Sequence, residues 1–234
     1  MMLTMEFTVR LQKETLKGLL IGVVLSSAVW GPALYLIKND APKTRTIAVQ
    51  NQPSAPADTA PNTAEFTISE NDHLLGKIDA PVVLVEFADF QCPYCVRHHA
   101  TMKQIAQTYG DKVAWVWKHN PLSFHQYAAV ASEASECAAE QGKFWEYADK
   151  LMENQKSFGD DTWLKLAQEL KLDQNKFKTC LDSGKYKEKV AADLTEGGAK
   201  GVEGTPATFV NGELISGAVP FEQFKQMIDK ILQQ

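Results

Sequence analysis

The chain has 234 residues, of which 44% are hydrophobic and 23% are charged, and its formal net charge is -5 at pH 7. This is the composition of an ordinary globular protein that is long enough for a sizeable core. Nucleic-acid binding is disfavoured, because phosphate groups are neutralised by clustered lysine and arginine and the sequence has no such cluster. The meaning of its four cysteines depends on the redox compartment.

The first long apolar segment runs from Gly18 to Ile37 and carries no charge. As a helix it would be about 30 Å long, which matches the hydrocarbon core of a bilayer. The sequence therefore predicts a transmembrane anchor at 18–37, with residues 1–17 as a cytoplasmic tail. The alternative is a signal peptide that is cleaved after Ala28. The anchor is favoured because apolar residues continue beyond Ala28.

Residues 38–65 combine proline with small and polar residues and contain few large apolar side chains. A segment of this kind cannot bury enough surface to fold by itself. It is predicted to be a flexible, disordered linker to a single domain at 66–234.

The domain begins with the pattern of a β-α-β unit. The apolar runs 82–87 and 113–118 are rich in β-branched residues and predict two buried strands. Between them, residues 93–108 have apolar side chains at roughly helical spacing. This order predicts parallel strands joined by a right-handed crossover.

No strand is predicted from 119 to 205, where helical patterns follow one another at 126–141, 143–154, 161–169, 174–181 and 185–200. Residues 207–210 and 213–216 then flank Asn211-Gly212, a strong signal for a hairpin. A last helix is predicted at about 220–232. The fold class is therefore α/β, a small mixed sheet with a helical subdomain inserted at about 119–205.

Cys92 and Cys95 form a Cys-x-x-Cys motif directly after a predicted strand, at the start of a helix. The free backbone N–H groups and the positive end of the helix dipole would stabilise a thiolate on Cys92 and depress its pKa. Pro93 suits the first helical turn. Cys95 lies one turn further on and can form a disulfide with Cys92. We expect Cys92 to be an exposed nucleophile and Cys95 a buried resolving thiol.

Other uses of the motif fit the sequence less well. A zinc site would need two further thiolate or imidazole ligands, and no second motif supplies them, so no metal is expected. Covalent haem attachment requires histidine after the second cysteine, where this chain has Val96. The helical residues His98 and His99 are interpreted as bystanders.

Three segments together resemble the DsbA-like family of bacterial thiol-disulfide oxidoreductases, whose fold is thioredoxin-like. These segments are 86–95 (EFADFQCPYC), 144–145 (FW) and 201–212 (GVEGTPATFVNG). The resemblance implies that Pro206 is a cis-proline facing the dithiol. It also implies that Thr205 offers backbone groups to an extended substrate, and that Pro93 and Tyr94 tune the reactivity of the dithiol.

Glu86 lies six residues before Cys92 within an apolar strand. In the family that it resembles, an acid often lies beneath the disulfide. A buried carboxylate there could accept the proton of Cys95, with Lys118 on the neighbouring strand as its charge partner. The alternative is a glutamate at the end of a strand that reaches solvent.

Cys137 and Cys180 lie on separate predicted helices of the insertion. In an oxidising compartment a structural disulfide is favoured over two buried thiols, and some relatives carry a bridge between these helices. Closing such a loop would contribute about 4 kcal/mol on the chain-entropy model.

The predicted function is to introduce disulfide bonds into exported proteins: Cys92-Cys95 accepts electrons from the cysteines of its substrates without any organic cofactor or metal. The resemblance implies reoxidation by a membrane partner of the DsbB or VKOR type. With residues 18–37 in the membrane, the protein would be a single-pass protein of the bacterial inner membrane whose domain faces the periplasm. Signal cleavage would instead release it.

Two alternatives remain open. The pair Pro93-Tyr94 and the residue Thr205 resemble those of milder oxidants, isomerases and reductases, so a disulfide isomerase or reductase of the same fold is one alternative. A redox-inert binding or assembly module is the other, although an intact Cys92, Cys95 and Pro206 argue against it.

Overall fold

The computed structural model of the protein describes residues 45–47 and 63–234. The predicted cytoplasmic tail and anchor, and most of the predicted linker, lie outside this range. Within it, no helix combines the length and the apolar character needed to cross a bilayer.

The described strands form two sheets. In the smaller one, β1 (Arg45–Ile47) pairs antiparallel with β2 (Phe66–Ile68). The larger sheet has the strand order β3-β5-β4-β6-β7. Its strands are β3 (His73–Leu75), β4 (Val82–Ala88), β5 (Val113–His119), β6 (Ala207–Val210) and β7 (Glu213–Ser216). Strands β4 and β5 are parallel and every other neighbouring pair is antiparallel, so the sheet is mixed as predicted.

Helix α1 (Pro93–Tyr109) connects β4 to β5 and completes the predicted β-α-β unit. Five helices then lie between β5 and β6, and α7 (Phe221–Leu232) follows the hairpin. The five are α2 (Ala128–Ala139), α3 (Phe144–Asn154), α4 (Thr162–Glu169), α5 (Gln174–Asp182) and α6 (Lys187–Ala199). Every predicted helix is present, and the bounds differ by one or two residues.

Strands β4 and β5 are buried along their whole length. Because side chains alternate between the two faces of a strand, each strand contributes to two separate cores. On one face Leu84, Trp115 and Trp117 belong to the larger core, which also contains side chains of α1, α2 and α7. On the other face Val85 and Phe87 belong to the smaller core.

The hairpin between β6 and β7 has the predicted bounds. Asn211 and Gly212 both have positive φ, 45° and 91°, as a type I′ turn requires. The Asn211 side chain also accepts a hydrogen bond from the backbone N–H of Val83 at 2.7 Å. The turn is thereby tied to the central strand β4.

Cys137 of α2 and Cys180 of α5 are joined by a disulfide, which closes a sequence separation of 43 residues. A loop of this length gives a stabilisation of about 4 kcal/mol on the chain-entropy model. The bridge fastens two helices of the insertion to each other.

Helix α6 lies against the sheet at Gly197, where only a glycine fits. A Cβ added at this position would lie 2.9 Å from Cδ1 of Phe87 and 3.2 Å from Oδ1 of Asn120. Phe87 is fully buried and cannot move aside freely. We expect Gly197→Ala to lower the free energy of unfolding by about 1–3 kcal/mol, as overpacked cores do.

The matched control is Gly198→Ala, because a Cβ there meets nothing within 4 Å. This control should be neutral or stabilising by up to about 1 kcal/mol, since alanine favours helix more than glycine does. Urea denaturation of both variants tests the contact. Equal stability of the two would contradict it.

Three short strands were not predicted. Strand β1 falls within the segment predicted to be a flexible linker, and β2 and β3 lie before the first predicted strand. Each has only three residues, which is too short for a local pattern. Their partners are remote in sequence: β3 pairs with β5, with His73 opposite Trp117.

Candidate active site

The Cys-x-x-Cys motif lies where β4 leads into α1. Cys92 occupies the N-cap position of the helix with extended backbone angles, and Pro93 follows in the first turn. The backbone N–H of Cys95 donates to the carbonyl oxygen of Cys92 at 3.0 Å. Both cysteines are free thiols. Both cysteines therefore lie at the start of α1.

The two thiols have opposite electrostatic environments. The Cys95 thiol donates a hydrogen bond to the Cys92 thiolate, and this bond is the main cause that lowers the pKa of Cys92 to about 5. Burial opposes the shift, while Thr205 and the backbone N–H groups of Tyr94 and Cys95 add to it. Burial raises the pKa of Cys95 well above its ordinary value. At neutral pH the dithiol therefore holds one thiolate and one thiol.

Cys92 is less accessible than expected. Only 3% of its surface is exposed, and Cys95 is fully buried. The prediction that Cys92 is exposed is therefore wrong. The reason is that a loop remote in sequence covers Cys92: the carbonyl oxygen of Thr205 lies 3.4 Å from its sulfur.

That covering loop contains a cis peptide bond between Thr205 and Pro206. Immediately after it, β6 begins at Ala207 and pairs with β4. The carbonyl oxygen of Thr205, just before the cis bond, therefore borders the sulfur of Cys92.

Glu86 is fully buried within β4, and the alternative of a solvent-exposed glutamate is wrong. Its Oε2 accepts a hydrogen bond from Nε1 of Trp115 at 2.8 Å. Burial raises the pKa of Glu86 to about 8, although the Trp115 bond opposes the shift. Its charge contributes to the raised pKa of Cys95, so the carboxyl group and the resolving thiol are electrostatically coupled.

The predicted pairing of Glu86 with Lys118 is wrong. Glu86 lies opposite Trp117 in the parallel register, whereas Lys118 lies opposite Phe87. Neighbouring residues of a strand point to opposite faces, so Lys118 is directed away from Glu86. Its ammonium group instead lies 2.5 Å from Asp72 and 3.1 Å from Glu196.

Asp89 is a buried carboxylate at the site that the sequence reasoning missed. Its Oδ1 accepts from the backbone N–H of Gln91 at 2.7 Å. Its Oδ2 accepts from the N–H of Leu122 at 2.8 Å and from Nδ1 of His125 at 2.7 Å. Its own N–H points at the sulfur of Cys95 at 3.5 Å. Asp89 therefore ties the insertion to the turn that carries the dithiol.

The other side of the turn is held by Gln155, just after α3. Its Nε2 donates to the carbonyl oxygens of Phe90 at 2.7 Å and Cys92 at 2.9 Å. Gln155 also lines an open cleft of ≈ 370 Å³ together with Pro93, Val96 and Met152. The cleft borders α1 at Pro93, the residue that follows Cys92 in the sequence.

His73, His119 and Glu136 are the group of described side chains that could hold a metal ion. His73 and Glu136 line a larger cavity of ≈ 740 Å³, and neither cysteine of the dithiol lines it. Oε1 of Glu136 already lies 2.7 Å from each histidine Nε2 and 3.0 Å from the ammonium of Lys189.

The tautomer of His119 also disfavours a metal. Its Nδ1 accepts a hydrogen bond from Nε1 of Trp117 at 3.2 Å. Its Nε2 therefore carries the ring proton and donates a hydrogen bond to Glu136. A cation would have to displace both this proton and Lys189. We assign the cluster to a network of hydrogen bonds and one lysine-glutamate ion pair that joins β3, β5, α2 and α6.

A low-pKa thiolate one turn from a buried thiol supports thiol-disulfide exchange, and this chemistry on this sheet defines a thiol-disulfide oxidoreductase with a thioredoxin-like fold. The family model described as Thioredoxin matches residues 68–230, which is more than half of the chain. The protein belongs to this thioredoxin family, and its structural neighbours are DsbA-like oxidoreductases.

Solved structures support this assignment. BdbD from Bacillus subtilis is 26% identical with a TM-score of 0.63, and the match covers 70% of this chain and 95% of that chain. A periplasmic thioredoxin-like protein from Salmonella enterica is 26% identical with a TM-score of 0.59, covering 70% and 91%. The α-DsbA1 of Wolbachia pipientis shares the fold at 24% identity and a TM-score of 0.62, covering 69% and 91%.

Several curated relatives that are similar in sequence are named as sodium/proton antiporters. The NhaA 3 protein of Salinispora tropica is 38% identical over 154 residues, which are 65% of this chain and 24% of that protein. The NhaA protein of Herminiimonas arsenicoxydans is 36% identical, covering 64% and 24%. The chain thus spans about a quarter of the length of these relatives.

Proposed function

We propose that the protein is an extracytoplasmic oxidase that introduces disulfide bonds into exported proteins through Cys92-Cys95. The observation that carries the proposal is the placement of Cys92 at the N-cap of α1 with the Cys95 thiol one turn on, an arrangement that lowers the pKa of Cys92 to about 5. A stabilised thiolate favours the reduced form of the dithiol over its disulfide. The disulfide form is therefore a good acceptor of electrons from substrate thiols.

In the proposed reaction, a substrate thiolate attacks the sulfur of Cys92. A bond forms between these two sulfur atoms, the Cys92-Cys95 bond breaks, and Cys95 leaves as a thiolate. A second substrate thiolate then attacks the substrate sulfur of the mixed disulfide and releases Cys92 as a thiolate. The substrate has lost two electrons, and the enzyme dithiol has gained them.

Glu86 and Thr205 take separate roles in this proposal. Cys95 must receive a proton when it leaves and lose it on reoxidation, and Glu86, with a pKa of about 8, is a buried acid coupled to Cys95. The Thr205-Pro206 loop borders Cys92 and would pair with an extended substrate backbone. Pro93 and Tyr94, which is half exposed, would contact the incoming chain.

The partners are proposed by family resemblance. Cysteine-containing exported proteins would be the substrates, and a membrane protein of the DsbB or VKOR type would reoxidise the dithiol. Anchoring through residues 18–37 would hold the domain on the periplasmic side of the inner membrane, near that partner. The cleft beside Pro93 and Gln155 is of a size that suits a peptide side chain.

The experiment compares two assays of the purified protein with matched amounts of a glutaredoxin as the reference. An oxidase should promote refolding of a reduced multi-cysteine protein and should reduce insulin poorly. Rapid insulin reduction with slow oxidative refolding would overturn the oxidase and favour the reductase or isomerase. Inactivity in both assays would favour the redox-inert module.

A further inference from the structure

Two fully buried side chains beneath the dithiol keep polar atoms without a hydrogen-bond partner among the described residues. These atoms are Oε1 of Glu86 and Nδ1 of His98. Leaving a buried polar atom unpaired costs about 1–3 kcal/mol, so each such atom needs an explanation. The interpretation of His98 as a bystander does not explain why Oε1 of Glu86 lacks a partner.

The two side chains are close to each other, and each is fixed by a single bond. Nε2 of His98 lies 2.8 Å from Oγ1 of Thr208 and 4.0 Å from Oε1 of Glu86. Oε2 of Glu86 is held by Trp115. Glu86 and Thr208 are opposite each other in the β4-β6 pair, so the strand register brings all the groups together.

The charged and titratable groups around the pair are few. Helix α1 contributes Cys95 and His99, while β5, β6 and α7 contribute side chains that do not titrate: Trp115, Thr208 and Phe224. Burial lowers the pKa of His98 to about 4, and the nearby His99 adds to this. With Glu86 at about 8, both side chains are neutral at pH 7.

We propose that His98 is a positioning residue for proton exchange at Cys95. Each time Glu86 has given its proton to Cys95, His98 donates a hydrogen bond to the resulting carboxylate. The proposal rests on the proposed function of the dithiol and adds a group to it. When the Cys92-Cys95 bond breaks, the electron pair goes to the sulfur of Cys95. The thiolate takes the proton of Glu86, and the glutamate becomes a carboxylate.

With the side chains as they lie in the structure, that carboxylate would accept one hydrogen bond, from the indole N–H of Trp115. A second donor would come from Nε2–H of His98, if the ring moves to close the 4.0 Å separation from Oε1. Hydrogen bonds to a charged acceptor are about twice as strong as neutral ones. On reoxidation the carboxylate takes the proton of Cys95, and the ring returns to Thr208. His98 thus stabilises the state in which Glu86 is ionised.

The test is an infrared titration of the Glu86 carboxyl band in the oxidised full-length protein, identified as the band that Glu86→Gln removes. In the wild type the band should disappear as pH rises through the pKa of Glu86, which burial raises above its ordinary value. His98→Phe keeps an aromatic ring beside Phe224 but removes the donor. It should move the midpoint upward by about one pH unit or more, a factor of about ten in the ionisation constant.

His98→Gln, which keeps an N–H donor near the position of Nε2, should restore the midpoint towards the wild-type value. The matched control is His99→Phe, because His99 bonds to Asp149 at 2.6 Å and not to Glu86. It should leave the midpoint unchanged. If His98→Phe does not fold, His98→Met, of similar volume and without a donor, replaces it.

Equal midpoints in the wild type and the donor-free variant would overturn the inference, and so would equal shifts in His98→Phe and His98→Gln. These readings do not depend on turnover. Failure of the wild type to exchange with any dithiol would instead remove the proposed function, whatever the titration shows. The rate of Cys95 release, measured with dithiothreitol at pH 7, should fall about tenfold in His98→Phe if both proposals hold.

Discussion

Replacing Cys92 with serine should abolish dithiol exchange, and replacing Cys95 with serine should turn the protein into a trap for mixed disulfides. The first variant has no thiolate to attack or be attacked. The second keeps the nucleophile but lacks the thiol that resolves the mixed disulfide. Because Cys95 is fully buried, substrates should meet only Cys92.

Non-reducing gels and mass spectrometry of the protein incubated with a reduced multi-cysteine substrate measure both effects. Cys92→Ser should fall to the uncatalysed background, and Cys95→Ser should accumulate adducts at Cys92. The matched control is Cys137→Ser with Cys180→Ser, which removes the structural disulfide and leaves the dithiol in place. Adducts at residues other than Cys92, or turnover by Cys92→Ser, would contradict the assignment.

Replacing Asp89 with asparagine should destabilise the fold by about 1–3 kcal/mol, the cost of leaving a buried hydrogen-bond donor without its acceptor. Asparagine offers one carbonyl oxygen and an NH2 group, whereas the carboxylate accepts from Gln91, Leu122 and His125. The NH2 group must therefore face at least one N–H donor. The turn that carries Cys92 loses its attachment to the insertion, so exchange should slow as well.

Urea denaturation measures the loss, and Asp160→Asn at an exposed position is the control. The control should remain within about 0.5 kcal/mol of the wild type. If Asp89→Asn is as stable as this control, the three hydrogen bonds contribute nothing and the role assigned to Asp89 is wrong.

The elements that the sequence predicted well are those whose pattern is local. Apolar runs indicated β4 and β5, helical spacing indicated α1, and Asn211-Gly212 indicated the hairpin with its bounds. The dithiol could also be predicted, because Cys92 and Cys95 are neighbours in sequence and their environment is a helix start.

The features that were missed depend on pairings between distant parts of the chain. Strand β3 has three residues and is formed by antiparallel pairing with β5, which is remote in sequence. Asp89 gives no local signal, since two of its donors lie 33 and 36 residues away. Lys118 was assigned to Glu86 because the β4-β5 register, which places them on opposite faces, cannot be read from either strand alone.

The central claim is that the environment at the start of α1 holds Cys92 as a thiolate at neutral pH. The most direct measurement is the ultraviolet absorbance of the thiolate in the reduced protein as a function of pH. The absorbance should rise as pH increases through about 5, the pKa of Cys92, while the Cys137-Cys180 disulfide does not titrate. A first rise only near the value of an ordinary cysteine, about 8.5, would contradict the account.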